Sequence, residues 1–223
     1  MPIENNAEIL VENGWTFRVQ PPDDSVLDAP AMLLMHGWSG DENVMNVFTS
    51  RFPTTRWYLA PRAPFPTPDG GFGWFIPTQG QHSTLDDFRP QVEGVLAWLD
   101  AWSKGSGVNV SQLDLMGFSQ GAAMVLCMAL LHPERVHRLA VLSGYLPSGS
   151  ETVLKDRLLE GKRILIAHGL RDEVISIDRA HDAVDHLRRA GADVEFCTSD
   201  IGHKLSAHCM KAVQRLMFNQ SAN

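Results

Sequence analysis

Short apolar runs, each ending in a glycine turn, set the rhythm of this chain. Ala31 to Met35 leads into His36-Gly37, Leu113 to Met116 into Gly117, Leu139 to Leu142 into Ser143-Gly144, and Ile164 to Ala167 into His168-Gly169. Runs that are apolar on both faces suit strands buried in a parallel sheet, where helices cover both sides. Trp57 to Ala60 and Val194 to Thr198 read as further strands. Between the strands the apolar positions fall at three- and four-residue steps. Leu85, Phe88, Val92, Val95, Leu96, Leu99 and Trp102 give one helical face, and Pro90 within it predicts a late start or a kink. Ala180, Val184 and Leu187 form a second stripe ended by Gly191; Leu205, Cys209, Val213, Leu216 and Met217 form a third. Ala122 to Leu131 is apolar all round, which predicts a centrally buried helix. The alternation predicts an α/β fold in a single domain over residues 1–223, with a mostly parallel central sheet and helices on both faces.

One stretch breaks the alternation. Phe52 to Pro77 holds six prolines, together with Gly70, Gly71 and Gly73. It also carries Phe65, Phe72, Trp74 and Phe75. Linkers rarely carry so many large rings, so this loop is read as a pocket wall, with packing on the sheet edge as the alternative, and the two are compatible.

Composition narrows the function classes. With 44% hydrophobic and 20% charged residues, the 223-residue chain has the balance of a soluble globular protein. A net charge of −7 argues against nucleic acid or an anionic membrane as the main partner. No apolar run approaches a membrane span, and the first residues lack the basic and apolar regions of an export signal. Cys127, Cys197 and Cys209 cannot all pair with one another and form no C-x-x-C, so buried free thiols in a reducing cytoplasm are expected. A monomer and a homodimer are both open.

The candidate chemistry begins at Ser119. Leu113 to Gly121 reads LDLMGFSQG, an apolar strand ending in G-x-S-x-G and running directly into the buried helix. The pentapeptide alone is a weak signal; a strand before it and a helix after it make the serine a candidate nucleophile. A serine hydroxyl needs a base to attack an ester at neutral pH, and an imidazole of ordinary pKa (~6.5) can take its proton and return it to the leaving group. His203 suits that role, lying after the last strand in Ser199-Asp200-Ile201-Gly202-His203 and just before the C-terminal helix. His132, His137, His181, His186 and His208 read as surface or core residues, and His36 and His168 as braces in their His-Gly turns. Asp172, just past the strand that ends at His168-Gly169, suits the orienting acid, with Glu173 and Asp200 as the alternatives. The oxyanion site would combine the backbone N–H of Gln120, at the start of the buried helix, with that of Trp38 in the early His36-Gly37-Trp38 loop. Trp38, Phe72, Trp74, Phe75, Leu170 and Val174 are the expected pocket walls. There is no H-E-x-x-H, no paired cysteine ligands, no G-x-G-x-x-G opening a helix and no P-loop lysine, so neither a metal nor a cofactor is expected.

Together these blocks resemble the carboxylesterase and lysophospholipase family of α/β-hydrolases that includes the acyl-protein thioesterases. The likeness runs through Leu34 to Asp41, Ala60 to Pro64, Gly73-Trp74-Phe75, GFSQG at 117–121, His168 to Asp172 with Val174, and Gly202-His203. The resemblance implies Ser119, Asp172 and His203 as a triad, Trp38 and Gln120 as oxyanion donors, and cofactor-free hydrolysis of carboxylic esters or thioesters. Many members carry Leu where this chain has Trp38, which implies a shortened acyl groove. The short connection from Ser143 to Lys162 leaves little room for a cap domain. The expected protein is a serine esterase of short- to medium-chain esters. Thioesters and lysophospholipids are the runners-up, followed by another acyl transfer or peptidase chemistry, and last by a ligand- or partner-binding scaffold without catalysis.

Overall fold

The computed structural model describes residues 6–23, 29–77 and 82–218. Its strands, in chain order, are β1 (Glu8–Glu12), β2 (Trp15–Gln20), β3 (Ala31–Met35), β4 (Trp57–Pro61), the short β5 (Phe65–Pro66) and β6 (Phe72–Gly73), β7 (Leu113–Phe118), β8 (Val136–Leu142), β9 (Arg163–Gly169) and β10 (Asp193–Ser199). Eight of them form one sheet in the order β1-β2-β4-β3-β7-β8-β9-β10, while β5 and β6 pair separately. From β4 to β10 every pairing is parallel. The β1–β2 hairpin adds an antiparallel edge that the sequence reading did not foresee. Its turn is Asn13-Gly14, with φ of 52° and 78°. That pair suits the two-residue turn whose twist matches the flanking strands.

Among the described residues five α-helices accompany the sheet: α1 (Asn46–Thr49), α2 (Leu85–Ser106), α3 (Gln120–Leu131), α4 (Ile177–Arg189) and α5 (Ala207–Phe218). The pleat divides β3 between two cores. Ala31, Leu33 and Met35 pack with α2, α3 and α4, and Met32 and Leu34 pack with Met45, Phe52 and α5. Helices on both faces are therefore what the continuous apolar runs required. Gln120 to Leu130 of α3 are all buried, as its all-round apolar pattern predicts. Helix α2 starts at Leu85, ahead of Pro90, so the late start does not occur. Thr84 caps it instead: its hydroxyl accepts from the Asp87 N–H, and the Asp87 carboxylate accepts from the Thr84 N–H at 2.7 Å. Pro90 is accommodated within the first two turns. Among the described residues no helix is long and apolar enough to cross a membrane.

The expectation of three free thiols is corrected. Cys197 at the end of β10 and Cys209 in α5 form a disulfide, with 5.7 Å between their Cα atoms, and Cys127 alone is free and buried. The packing of α5 back onto β10 brings the two together, a contact that spacing along the chain does not reveal. The bond closes a loop that contains His203. Replacing both cysteines by serine is expected to lower unfolding stability by about 3 kcal/mol, the loop-closure value for a ring of this size, as read from denaturant midpoints.

Candidate active site

Because β3, β7, β9 and β10 run parallel, their carboxyl ends open onto one rim. Four turns meet there: His36 to Gly40 after β3, Ser119 after β7, Leu170 to Asp172 after β9, and Asp200 to His203 after β10.

Ser119 stands between β7 and α3 with φ 54° and ψ −119°, a conformation that a side chain makes strained. Its N–H donates to the Leu142 carbonyl at 2.8 Å, and its carbonyl accepts from the Ala122 N–H at 2.9 Å, so both sides of the turn are pinned. The flanking glycines permit the close approach. A Cβ on Gly117 would strike the Gly121 carbonyl, and one on Gly121 would strike the carbonyls of Met35 and His36. Strand and helix are thus pressed together, and the serine side chain is forced up onto the rim.

Two loops zip together and bring Asp172 to His203. The Leu170 N–H donates to the Ser199 carbonyl and the Arg171 N–H to the Ile201 carbonyl, each at 2.9 Å. Asp172 and His203 then meet, with His203 Nδ1–H donating to Asp172 Oδ2 at 2.7 Å. The other carboxylate oxygen accepts from the N–H groups of Val174 and Ile175, both at 2.9 Å. Burial alone would raise the Asp172 carboxyl. The Ile175 N–H, the His203 ring and the Val174 N–H outweigh that effect and hold it below its ordinary value. The Asp172 side chain is 0% exposed and that of His203 is 19% exposed, so the acid is sealed while the imidazole faces the rim. Of the alternative acids, Asp200 is exposed and paired with Arg171 at 2.7 Å, and Glu173 is exposed. The His203 ring packs on Phe118, the residue before the serine, with 5.0 Å between centroids. Among the described residues the Ser119 hydroxyl makes no hydrogen bond, while His203 and Asp172 are joined by theirs.

The Trp38 loop lies against the elbow: a Cβ on Gly37 would come within 3.2 Å of Ser119 Cβ. Neither Trp38 N–H nor Gln120 N–H donates to another described residue in the turn and loop bonds, and Gln120 is the first residue of α3, where backbone donors have no intrahelical acceptor. His36 holds this loop in place. Its Nδ1–H donates to the Gly37 carbonyl at 2.7 Å and its Nε2 accepts from the Ala63 N–H at 3.0 Å. Burial lowers its pKa from 6.5 and keeps the ring neutral, as that pair of bonds demands. His168, also buried, donates from Nε2 to the Ile175 carbonyl at 2.9 Å, and so braces the Asp172 loop. Both histidines are the braces their His-Gly turns suggested.

These two titrations set an acid limit. A neutral His36 in the folded state means that the unfolded chain binds the extra proton first, so stability falls as pH drops below about 6.5. The stability from Asp172 is present above its unfolded value and is lost as pH falls through its depressed folded one. Melting temperatures taken from about pH 8 to about pH 3 are expected to decline in that order. A flat profile would contradict the neutral, buried His36.

The pocket walls are less as expected. Trp74 is 0% exposed and lines no surface. Its indole N–H donates to the His36 carbonyl at 2.8 Å, its backbone N–H donates to Gln120 Oε1 at 2.6 Å, and its carbonyl accepts from Gln91 Nε2 at 2.9 Å. It is a strut beneath the site, correcting its reading as a wall. Phe75 is half-buried against Phe88, and Phe72 lies under the Arg62 guanidinium. Trp38 is half-buried, its ring so close to Gly73 that a Cβ there would fall 2.6 Å from it. Leu170 and Val174 flank the acid loop, 50% and 69% exposed. Sequence reasoning gave Gln120 only a backbone role and missed that its side chain also clamps the proline-rich loop, with Nε2 donating to the Phe75 carbonyl at 2.7 Å. It also missed the Glu42–Arg62 pair that carries Phe72. Among the described residues no cluster of metal-ligating side chains occurs.

Known proteins resemble this chain in sequence and fold. The chain is 30% identical over 193 residues to a probable carboxylesterase, SOBER1-like, of Arabidopsis thaliana, covering 78% of this chain and 72% of the relative. It is 29% identical over 204 residues to the esterase YpfH of Escherichia coli (strain K12), covering 87% and 84%. The crystal structure of a carboxylesterase from Mesorhizobium loti superposes with a TM-score of 0.77 at 25% identity, over 94% of this chain and 97% of that one. The fold, a mostly parallel sheet with helices, is that of the α/β-hydrolase carboxylesterases. Residues 16–218 match the phospholipase/carboxylesterase family model, and the chain belongs to that family of hydrolases.

Proposed function

We propose that this single-domain protein is a serine carboxylesterase that hydrolyses short- to medium-chain esters through an acyl-enzyme on Ser119. The observation that carries this reading is the buried Asp172 carboxylate bonded at 2.7 Å to His203, on the rim that also carries the strained Ser119 turn. His203 Nδ1–H is fixed by Asp172, which leaves Nε2 free to accept the Ser119 proton as Oγ attacks the acyl carbon. The same nitrogen then protonates the leaving oxygen. Water enters, gives its proton to Nε2, and attacks the acyl carbon to release the acid and restore the serine. The N–H groups of Gln120 and Trp38 would receive the oxyanion, each worth roughly 3 kcal/mol in the transition state. The Trp38 ring against Gly73 crowds the acyl side and favours short acyl groups over palmitoyl ones. Thioesters and lysophospholipids follow as the alternatives.

Labelling with a fluorophosphonate tests the reading directly. Adduct on Ser119 and turnover of p-nitrophenyl butanoate above the palmitate ester are the expected results; an unlabelled serine would leave a binding protein. The disulfide bears on the working compartment, because such bonds are kept reduced in the cytoplasm of most organisms. A cytoplasmic enzyme should yield protein whose Cys197 and Cys209 both alkylate after extraction under trapping conditions.

A further inference from the structure

A groove of about 390 Å³ opens beside His203, on ground that none of the expected pocket walls occupies. Val47 and Phe48 form one wall, Leu205 the other, and Phe118 lies beside the imidazole. Val44 and Val47 stand 49% and 59% exposed on its margin, more apolar surface than a solvated turn requires. The size is that of a small-molecule site. Two of the lining residues, Arg51 and Lys204, are cations and none is an acid. In a chain of net charge −7 that is a local reversal of sign. Arg135, Arg157, Arg171 and Arg215 are paired with carboxylates elsewhere on the surface, whereas Arg51 and Lys204 form no ion pair among the described residues.

Resting on the esterase reading above, we infer that this groove receives the alcohol portion of the substrate, and that this portion is an apolar stem ending in an anion. The side of the ester follows from the chemistry. The group that protonates the leaving oxygen must touch it, and His203 is a wall of the groove. The carbonyl oxygen is directed to the Trp38 and Gln120 N–H groups, and the Trp38 ring against Gly73 crowds the acyl side. The longer arm of the ester therefore extends along Phe118 and Leu205. Arg51 and Lys204 meet its charged end, without a neighbouring carboxylate to compete.

Three esters of similar size separate the possibilities: the butanoyl ester of ω-hydroxyhexanoate, with its anion on the alcohol; hexyl butanoate, neutral; and monobutyl adipate, with its anion on the acyl side. The first is expected to exceed the second in kcat/KM by about tenfold at low ionic strength, an advantage that salt near ~0.5 M should largely screen out. In Arg51→Gln/Lys204→Gln the ratio of the two should fall to about one, while Lys155→Gln, far from the groove, should keep it. An advantage for monobutyl adipate instead, a ratio near one in the wild type, or a ratio untouched by the double variant would each overturn the inference. If the wild type hydrolyses hexyl butanoate in any of those cases, the esterase reading survives; if it hydrolyses none of the three and Ser119 takes no fluorophosphonate, that reading falls as well.

Discussion

Ser119→Ala is expected to lose about a million-fold in kcat toward p-nitrophenyl butanoate while keeping its fold, because the proposed acyl-enzyme forms on that hydroxyl. Ser119→Gly should be as inactive and more stable than the wild type. The serine holds φ 54° and ψ −119°, a region costing roughly 1–3 kcal/mol for a residue with a Cβ. Glycine removes that strain, offset by about 1 kcal/mol of extra chain entropy in the unfolded state, so a net gain of about 1 kcal/mol is expected. The two substitutions thus separate chemistry from strain: activity reports the hydroxyl, and the melting temperature reports the backbone. Residual turnover within tenfold of wild type in either variant would remove Ser119 from the mechanism. A Gly variant less stable than the Ala one would mean that the turn is not under strain.

Asp172→Asn is expected to lower kcat by about 10⁴ with little change in KM. Three N–H donors converge on the carboxylate: His203 Nδ1 on Oδ2, and the backbone of Val174 and Ile175 on Oδ1. An amide keeps one acceptor oxygen. If that oxygen serves the two backbone donors, its NH₂ faces His203 Nδ1 and forces the proton onto Nε2, where it blocks acceptance of the serine proton. If the amide flips, two buried backbone N–H groups face a donor and the acid loop loses its support, which a lower melting temperature would show. Either way the relay fails. A loss of less than about tenfold would show that another carboxylate orients the imidazole, and Asp200, exposed and held by Arg171, would be examined next.

Much of this was legible because some functional groups carry their context with them along the chain. Ser119 is flanked within a few residues by its strand, its permissive glycines and its helix, so the elbow and its backbone donor are written locally. Asp172 follows the buried strand β9 and His203 the partly exposed edge strand β10, and parallel strands put such positions on one rim. The β1–β2 hairpin was also written locally, in Asn13-Gly14, but its strands are short and β1 is mostly exposed, so no long apolar run marks them. Trp74 misled for the opposite reason. A proline-rich loop has no period to say which rings face inward, and only its bonds to His36, Gln91 and Gln120 make this one a strut.

By itself the sequence determined the layered α/β order and the buried central helix, and it singled out Ser119, Asp172 and His203 as the candidate serine, acid and imidazole, since each follows from periodicity or from residues adjacent in the chain. The tertiary structure alone decided that Cys197 meets Cys209, that Gln120 clamps the loop, and that Val47 and Phe48 face Leu205 across a groove beside His203. Those contacts join segments whose separation in sequence bears no relation to their distance in space. They are fixed by how helices seat on the sheet, and packing of that kind leaves no periodic trace in the chain.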